Sequence, residues 1–496
     1  MQLNIALQKL VLILKKYKEI TPPTFDGIYT RGATKYNLEG FNMKQSIDLT
    51  TAERKLVFAM TLSCILPLLD SSIVNVILSS ISNDINTSYA YIQWAVTVYM
   101  LACAAGILLS PYIHENFGLK KAWISSIFVF LVGSILVGFS YNLASLILFR
   151  CLQGFGAGIL IPITQSTIVI YFGKERLKPI MALIAIPSVF APALGPIFGA
   201  IISEQLNWRI AFFINMPLVL VAFFCGRKTI PDNKTSKYNM NIYVFITFLI
   251  ALILFFISIK NLTSGGFFDI FNIIMLVLGI GLMMVSLITN NKSDSKLIDL
   301  SAFSCIQYSF AIIMGFLTSL IFFGFMIFFP LIQAINDNIS ITYIGMLLAL
   351  QGVGAWLARK FIYKSLSEIN SFLIIGVGLI ISAISILIIQ VGGIPSEIIG
   401  FIVRGSGLGV ATIAVLSSPF EFCDKNQIKD TSAITRVIQQ IGGAFGGVLS
   451  GILIHLTQDQ IISVNCAYQT MFFVSLTFGL LAVIVYIFFG RVNIKI

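Results

Sequence analysis

Residues 56–80 read LVFAMTLSCILPLLDSSIVNVILSS. A helix needs about 20 apolar residues to cross a bilayer, and this run exceeds that while carrying a single charge, Asp70, at its middle. A carboxylate removed from water is expensive, so one placed inside a spanning helix marks a candidate functional site. The stretch therefore sets the fold class and points to a residue at the same time.

Working outward, comparable stretches recur at 90–112, 122–140, 144–171, 178–202 and 209–225, then at 241–259 and 269–289. Six more follow at 304–332, 341–363, 371–390, 397–418, 431–456 and 467–489. The composition agrees: 57% of the 496 residues are hydrophobic, 11% are charged and the mean hydropathy is +0.94. A soluble domain of this size needs far more charge to cover its surface, so soluble classes are excluded. Many glycines and phenylalanines suit helices packed in lipid.

Fourteen spans place both termini on one side, and the basic residues say which. The odd-numbered loops hold only Arg209 and Lys260, and the spans hold Arg150, Arg404 and Arg436. The remaining Lys and Arg flank the even-numbered loops and the two termini, which is the positive-inside pattern with cytoplasmic ends. The net charge of +11 is thus membrane topology, and nucleic acid is not an expected partner. The reading is an all-α polytopic protein of the cytoplasmic membrane. A segment 1–53 precedes a six-helix unit 54–225; a linker 226–302 with two additional helices leads to a second six-helix unit, 303–496. Two readings of the start stand open. Residues 3–14 followed by Lys15, Lys16 and Lys18 suit an interfacial amphipathic helix, or translation begins at Met43, just before the first span.

An internal repeat supports the two-unit layout. Gln153-Gly154-Phe155-Gly156-Ala157-Gly158 in span four shares its GxGxG spacing with Arg404-Gly405-Ser406-Gly407-Leu408-Gly409 in span twelve. Spans 1–6 then repeat as 9–14, with spans seven and eight inserted, and related halves are a common basis for alternating access.

The chemistry-bearing residues are few. Desolvation disfavours the charged form of Asp70, which makes it a candidate to take up and release a proton; a structural ion pair is the plainer reading. Arg150 lies within a turn or two of it in depth and is the candidate partner. Arg404 has no deep acid within reach. Arg436, near Glu421 and Asp430, is expected to snorkel or pair there. Pro187, Pro192, Gly195, Pro196 and Gly199 give span five a hinge or a close inter-bundle seam. The seven scattered cysteines and the isolated His114 and His455 offer neither a disulfide framework nor a metal site. No GxxxxGK[ST] loop occurs, so ATP-driven transport within the chain is not expected.

These residues resemble the major facilitator superfamily, in particular its fourteen-helix drug:proton antiporters of the EmrB/QacA type, over residues 54–490. Leu69-Asp70-Ser71-Ser72-Ile73-Val74-Asn75-Val76 looks like the family's LDxTIVNVAL, and Trp94 with Tyr99 like its WxxTxYxL. Residues 148–158 are similar to RxxQGxGxG, residues 191–199 to the GxxxGPxxGG that marks exporters, and 207–217 to WRxxFxINxP. The resemblance implies a major facilitator fold of two six-helix bundles plus two inserted helices. It also implies Asp70 as proton carrier with Arg150 as partner, Asn75, Trp94, Tyr99, Gln153 and Arg404 as cavity or coupling residues, and Pro192, Gly195, Pro196 and Gly199 as the antiport seam. The expected function is proton-coupled efflux of small amphipathic, hydrophobic or singly cationic compounds. No cofactor is expected, the energy source being the proton gradient.

Departures qualify that picture. The loop between spans two and three should read like GxLaDRxGRR but runs from Pro111 to Lys121. Glu115 replaces the aspartate and Leu119 the first basic position, with Gly118, Lys120 and Lys121 retained. This gate is weakened or specialised. No acid occurs in 341–363, which argues against dicationic cargo, and the short loop 457–466 argues against a periplasmic adaptor protein. Alternatives are an importer or exchanger of a specific metabolite, a membrane-embedded enzyme lacking the His, Asp or Glu cluster it would need, and a transport-dead sensor.

Overall fold

The computed structural model describes residues 49–489 except 232–238, 264–269, 294, 336–338 and 362–368, and the open question about residues 1–42 lies outside it. Among the described residues the chain is helical, with no strand. The first helix, α1 (Thr51–Asp84), starts at a capping box: Thr50 N donates to Glu53 Oε2 at 2.8 Å, and Thr50 Oγ1 accepts from Glu53 N. Such reciprocal bonds satisfy donors that a helix start otherwise leaves open. After the short turn Tyr89–Ile92 comes α2 (Trp94–Phe117), then α3 (Leu119–Gly138) and α4 (Leu143–Gly173). Gly118 ends α2 and opens α3 at φ 84°, a backbone conformation that glycine adopts without Cβ strain.

Spans four and five follow one another without a separate loop. The chain is helical up to Gly173, whose backbone is non-helical (φ 69°, ψ 178°), and it becomes helical again as α5 (174–205), the fifth span. Then come α6 (Trp208–Gly226), α7 (Ile242–Thr263), α8 (Ile270–Lys292), α9 (Ile306–Ile335) and α10 (Ile341–Phe361). The series closes with α11 (Ser371–Gln390), α12 (Ile394–Glu421), α13 (Ile428–Gln458) and α14 (Val464–Phe489). Thirteen of the described helices are long and apolar enough to span, and α5 occupies the remaining expected position.

The sequence repeat is also a packing repeat. In α4, a Cβ on Gly154 or Gly158 would run into the carbonyl oxygens of Tyr99 and Cys103 on α2, and one on Gly156 would meet Phe130 of α3 at 2.5 Å. In α12, Gly405 and Gly409 stand against Gln351 and Ala355 of α10, and Gly407 against Gly378 of α11. The same three positions thus seat each helix on its two neighbours, the close approach that small residues permit in lipid.

Two seams join the halves. Gly195 and Gly199 of α5 lie against Ser72 and Ile73 of α1, while Pro196 and Ala200 receive Gly345 of α10 and Ala193 receives Gly352. On the other side, Gly443, Gly447 and Gly451 of α13 pack on Met100, Thr97 and Gln93 of α2. The glycine contacts of both seams lie between the end bearing the odd-numbered loops and about mid-helix. That end is further tied by Thr342 N donating to Glu204 Oε2 at 3.2 Å and Ser88 Oγ donating to Gln458 Oε1 at 2.9 Å. The α7–α8 hairpin reaches the bundle through Phe255 and Phe256, whose rings lie 5.6 and 5.0 Å from that of Phe445 on α13.

Candidate functional site

Asp70 is 2% exposed and Arg150 wholly buried. Arg150 Nη1 donates to Asp70 Oδ2 at 2.6 Å and to Gln153 Oε1 at 2.6 Å. Gln153 Nε2 donates to the other carboxylate oxygen, Oδ1, at 2.7 Å, and Asn215 Nδ2 donates to the same atom at 2.9 Å. Arg150 Nε is tied to the Ala95 carbonyl at 3.2 Å, and its guanidinium carbon sits 4.1 Å from the Tyr99 ring centroid. Four helices contribute: α1 gives the acid, α2 the aromatic face, α4 both Arg150 and Gln153 one turn apart, and α6 the Asn215 amide. Ser134 of α3 completes it, accepting from Asn215 Nδ2 at 2.9 Å and donating to the Phe212 carbonyl at 2.8 Å.

The arrangement holds a charge pair in lipid by giving both carboxylate oxygens of Asp70 hydrogen-bond donors, the condition under which buried charges are tolerated. Three polar atoms of the centre are left over: Arg150 Nη2, Asn215 Oδ1 and the Tyr99 hydroxyl have no partner. Of the residues anticipated from sequence, Asp70, Arg150, Gln153 and Tyr99 come together here. Asn75 is buried on α1 with its Oδ1 unpartnered. Trp94 is elsewhere, at the α2–α13 seam beside Gly451 and His455.

Arg404 forms a separate centre in the second half. Its Nη1 donates to Ser382 Oγ at 3.0 Å and Nη2 to the Ile321 carbonyl at 3.1 Å, and its guanidinium carbon lies 3.9 Å from the Phe325 ring centroid. The 251-residue offset puts Arg404 in the register of Gln153 and Phe401 in that of Arg150. No described carboxylate pairs with it. In the seam, Gly195, Pro196 and Gly199 take the close contacts given above, while the Pro192 side chain lies outside the described ones.

At the loop between α2 and α3, Glu115 faces Lys429 of α13 at 3.7 Å, an ion pair between the halves. Leu119, which stands where a basic residue was expected, is 1% exposed and packs into the core. Lys120 and Lys121 follow in the first turn of α3. Asn215 and Ser134 were not singled out from sequence. An asparagine inside the apolar run 213–219 was a usable signal; a serine on a helix is too common to be one. The expected pairing of Arg436 with Glu421 or Asp430 does not occur: Glu421 accepts from Ser371 Oγ at 2.5 Å instead.

Helices packed as two related halves, with a buried charge centre and no enzyme-like cluster among the described residues, define a multi-pass membrane transporter. The family model for the Major Facilitator Superfamily matches residues 60–288. A Multidrug resistance protein B homolog of Mycobacterium tuberculosis is 26% identical over 79% of this chain and 74% of its own. The Multidrug export protein EmrB of Haemophilus influenzae is 27% identical over 66% of this chain and 65% of its own. Among solved structures, a peptide transporter POT in complex with sulfate matches with TM-score 0.64 at 16% identity, over 88% of this chain and 95% of that one. A mutant form of the nucleoside transporter NupG also gives 0.64, at 11% identity over 87% and 99%. Residues 60–288 thus match the major facilitator superfamily, and the chain as a whole shares the fold of these solved transporters.

Proposed function

We propose that this protein exports small amphipathic or hydrophobic compounds across the cytoplasmic membrane in exchange for protons, with Asp70 as the proton carrier. The names of the multidrug relatives support export. The observation that carries the coupling is the buried Asp70–Arg150 pair at 2.6 Å.

Protonating Asp70 turns one acceptor oxygen into a donor, so one of its three donors must give way. Asn215 is suited to do so. Its Nδ2 donates to Asp70 Oδ1, and its own Oδ1 is free to accept the new O–H once the amide rotates. Arg150, released from the carboxylate, keeps Gln153 Oε1 and the Ala95 carbonyl as acceptors. Proton uptake therefore rearranges contacts among α1, α4 and α6, and α1 packs on the seam helix α5 through Gly195 and Gly199. That is a local charge event biasing a two-state element.

The test is proton movement in everted membrane vesicles. After acidification, adding compounds from a broad panel should release protons in the wild type. Asp70→Asn, which preserves shape, should fold and release none. Proton release that persists in Asp70→Asn sinks the assignment of the carrier.

A further inference from the structure

We infer that Arg436 is the recognition residue of the cargo site and that the cargo is an anionic amphipath, carrying one carboxylate or comparable anion on an apolar body. The inference rests on the export reading and names its substrate class.

Three observations carry it. First, Arg436 has no hydrogen-bond or ion-pair partner among the described residues, although it lies within electrostatic reach of the Cys64 thiol on α1 and the Cys103 thiol on α2. The acids near it in sequence are engaged elsewhere: Glu421 with Ser371, and Asp430 beside Lys296 and Asp299. Second, it lies on the face of α13 that meets the other half. Gly443 of α13 packs on Met100 of α2. Arg436 lies two turns further along the same face of α13, and Cys103 about one turn further along α2. There Arg436 is half-buried, and Gln440, one turn on, shares its face and is also half-buried. Third, the interior charge is unbalanced. Asp70 is neutralised by Arg150, and Arg404 is held by a hydroxyl, a carbonyl and an aromatic face, which leaves Arg436 as a cation needing a counter-charge. An unpaired charge in the membrane interior is costly, and pairing it is the favourable outcome.

Cys64 precedes Asp70 by six residues, so at 1.5 Å per residue the thiol within reach of Arg436 lies about 9 Å along α1 from the proton site, toward the end that carries the basic loops. An anion there is close enough to feel the charge of Asp70, and its apolar body would meet the phenylalanine-rich helix α9, on which α13 packs. A cation would meet repulsion from Arg436.

The test is equilibrium binding to the purified full chain in uncharged detergent, which needs neither transport nor a proton gradient and so stands or falls separately from the antiport reading. The probes are 4-(1-naphthyl)butanoate, its primary amide and the matching trimethylammonium compound. The wild type is expected to bind the carboxylate about tenfold or more tighter than the amide, and the cation weakest. Arg436→Gln should bind carboxylate and amide alike, and Arg436→Lys should keep part of the preference; a thermal melt establishes that both variants are folded. Equal binding of carboxylate and amide by the wild type overturns the inference, as does a preference that survives in folded Arg436→Gln. A second arm uses nanodiscs with and without phosphatidylglycerol. If that lipid abolishes carboxylate binding to the wild type, the anion belongs to a lipid headgroup and the cargo assignment is overturned.

Discussion

Around Asp70 every oxygen lone pair in use points at a donor from another helix, and the penalty for removing the charge from water is met by Arg150, Gln153 and Asn215. A pair built this way contributes little net stability when intact, but losing one partner strands the other, at about 3–5 kcal/mol. Arg150→Met should therefore lower the unfolding midpoint sharply, while adding Asp70→Asn to it should restore much of the loss. A double variant as unstable as the summed single effects would show that Arg150 matters through something other than its pair. Arg404 behaves differently. Its partners are neutral, so Arg404→Met should be milder than Arg150→Met in the same thermal measurement.

Helix crossings are set by the repeated glycines. Gly154 and Gly405 each lie under a backbone carbonyl of the neighbouring helix, Tyr99 and Gln351 respectively. A side chain there forces the helices apart, and overpacking of this kind costs about 1–3 kcal/mol. Gly154→Val and Gly405→Val should both destabilise by that order, equally in the two halves. Gly281→Ala on α8, where an added Cβ meets nothing within 4 Å, is the control and should leave the melt unchanged or slightly raised. A melt insensitive to the two valines would refute the equivalence of α4 and α12.

Across the whole molecule, the halves meet along α2–α13 and α5–α10 at the end bearing the odd-numbered loops. Toward the other end, Glu115 of α2 and Lys429 of α13 form an ion pair between them at 3.7 Å. Alternating access from this state requires the first two seams to part. A Cβ on Gly447 would lie 2.6 Å from Thr97 Oγ1, so Thr97→Cys with Gly447→Cys brings two thiols within bridging range. Oxidation should stop transport, reduction should restore it, and neither single variant should respond. Transport that continues through a demonstrated cross-link would place the moving interface elsewhere.

The sequence by itself determined the class: apolar runs of spanning length, a basic bias between them and one mid-span acid leave no soluble reading. It also supplied the spacing of the repeat and the depth match of Asp70 with Arg150, since both follow from helix geometry along one chain. Only the tertiary structure decided what the charges do. Asn215 and Ser134 joined the Asp70 centre because α6 and α3 pack beside it, which no local spacing reports. Arg436, close in sequence to Glu421 and Asp430, has no hydrogen-bond or ion-pair partner among the described residues. The physical reason is that burial in a membrane sets how much a charge needs a partner, while the crossing of helices distant in sequence sets which partner it can reach.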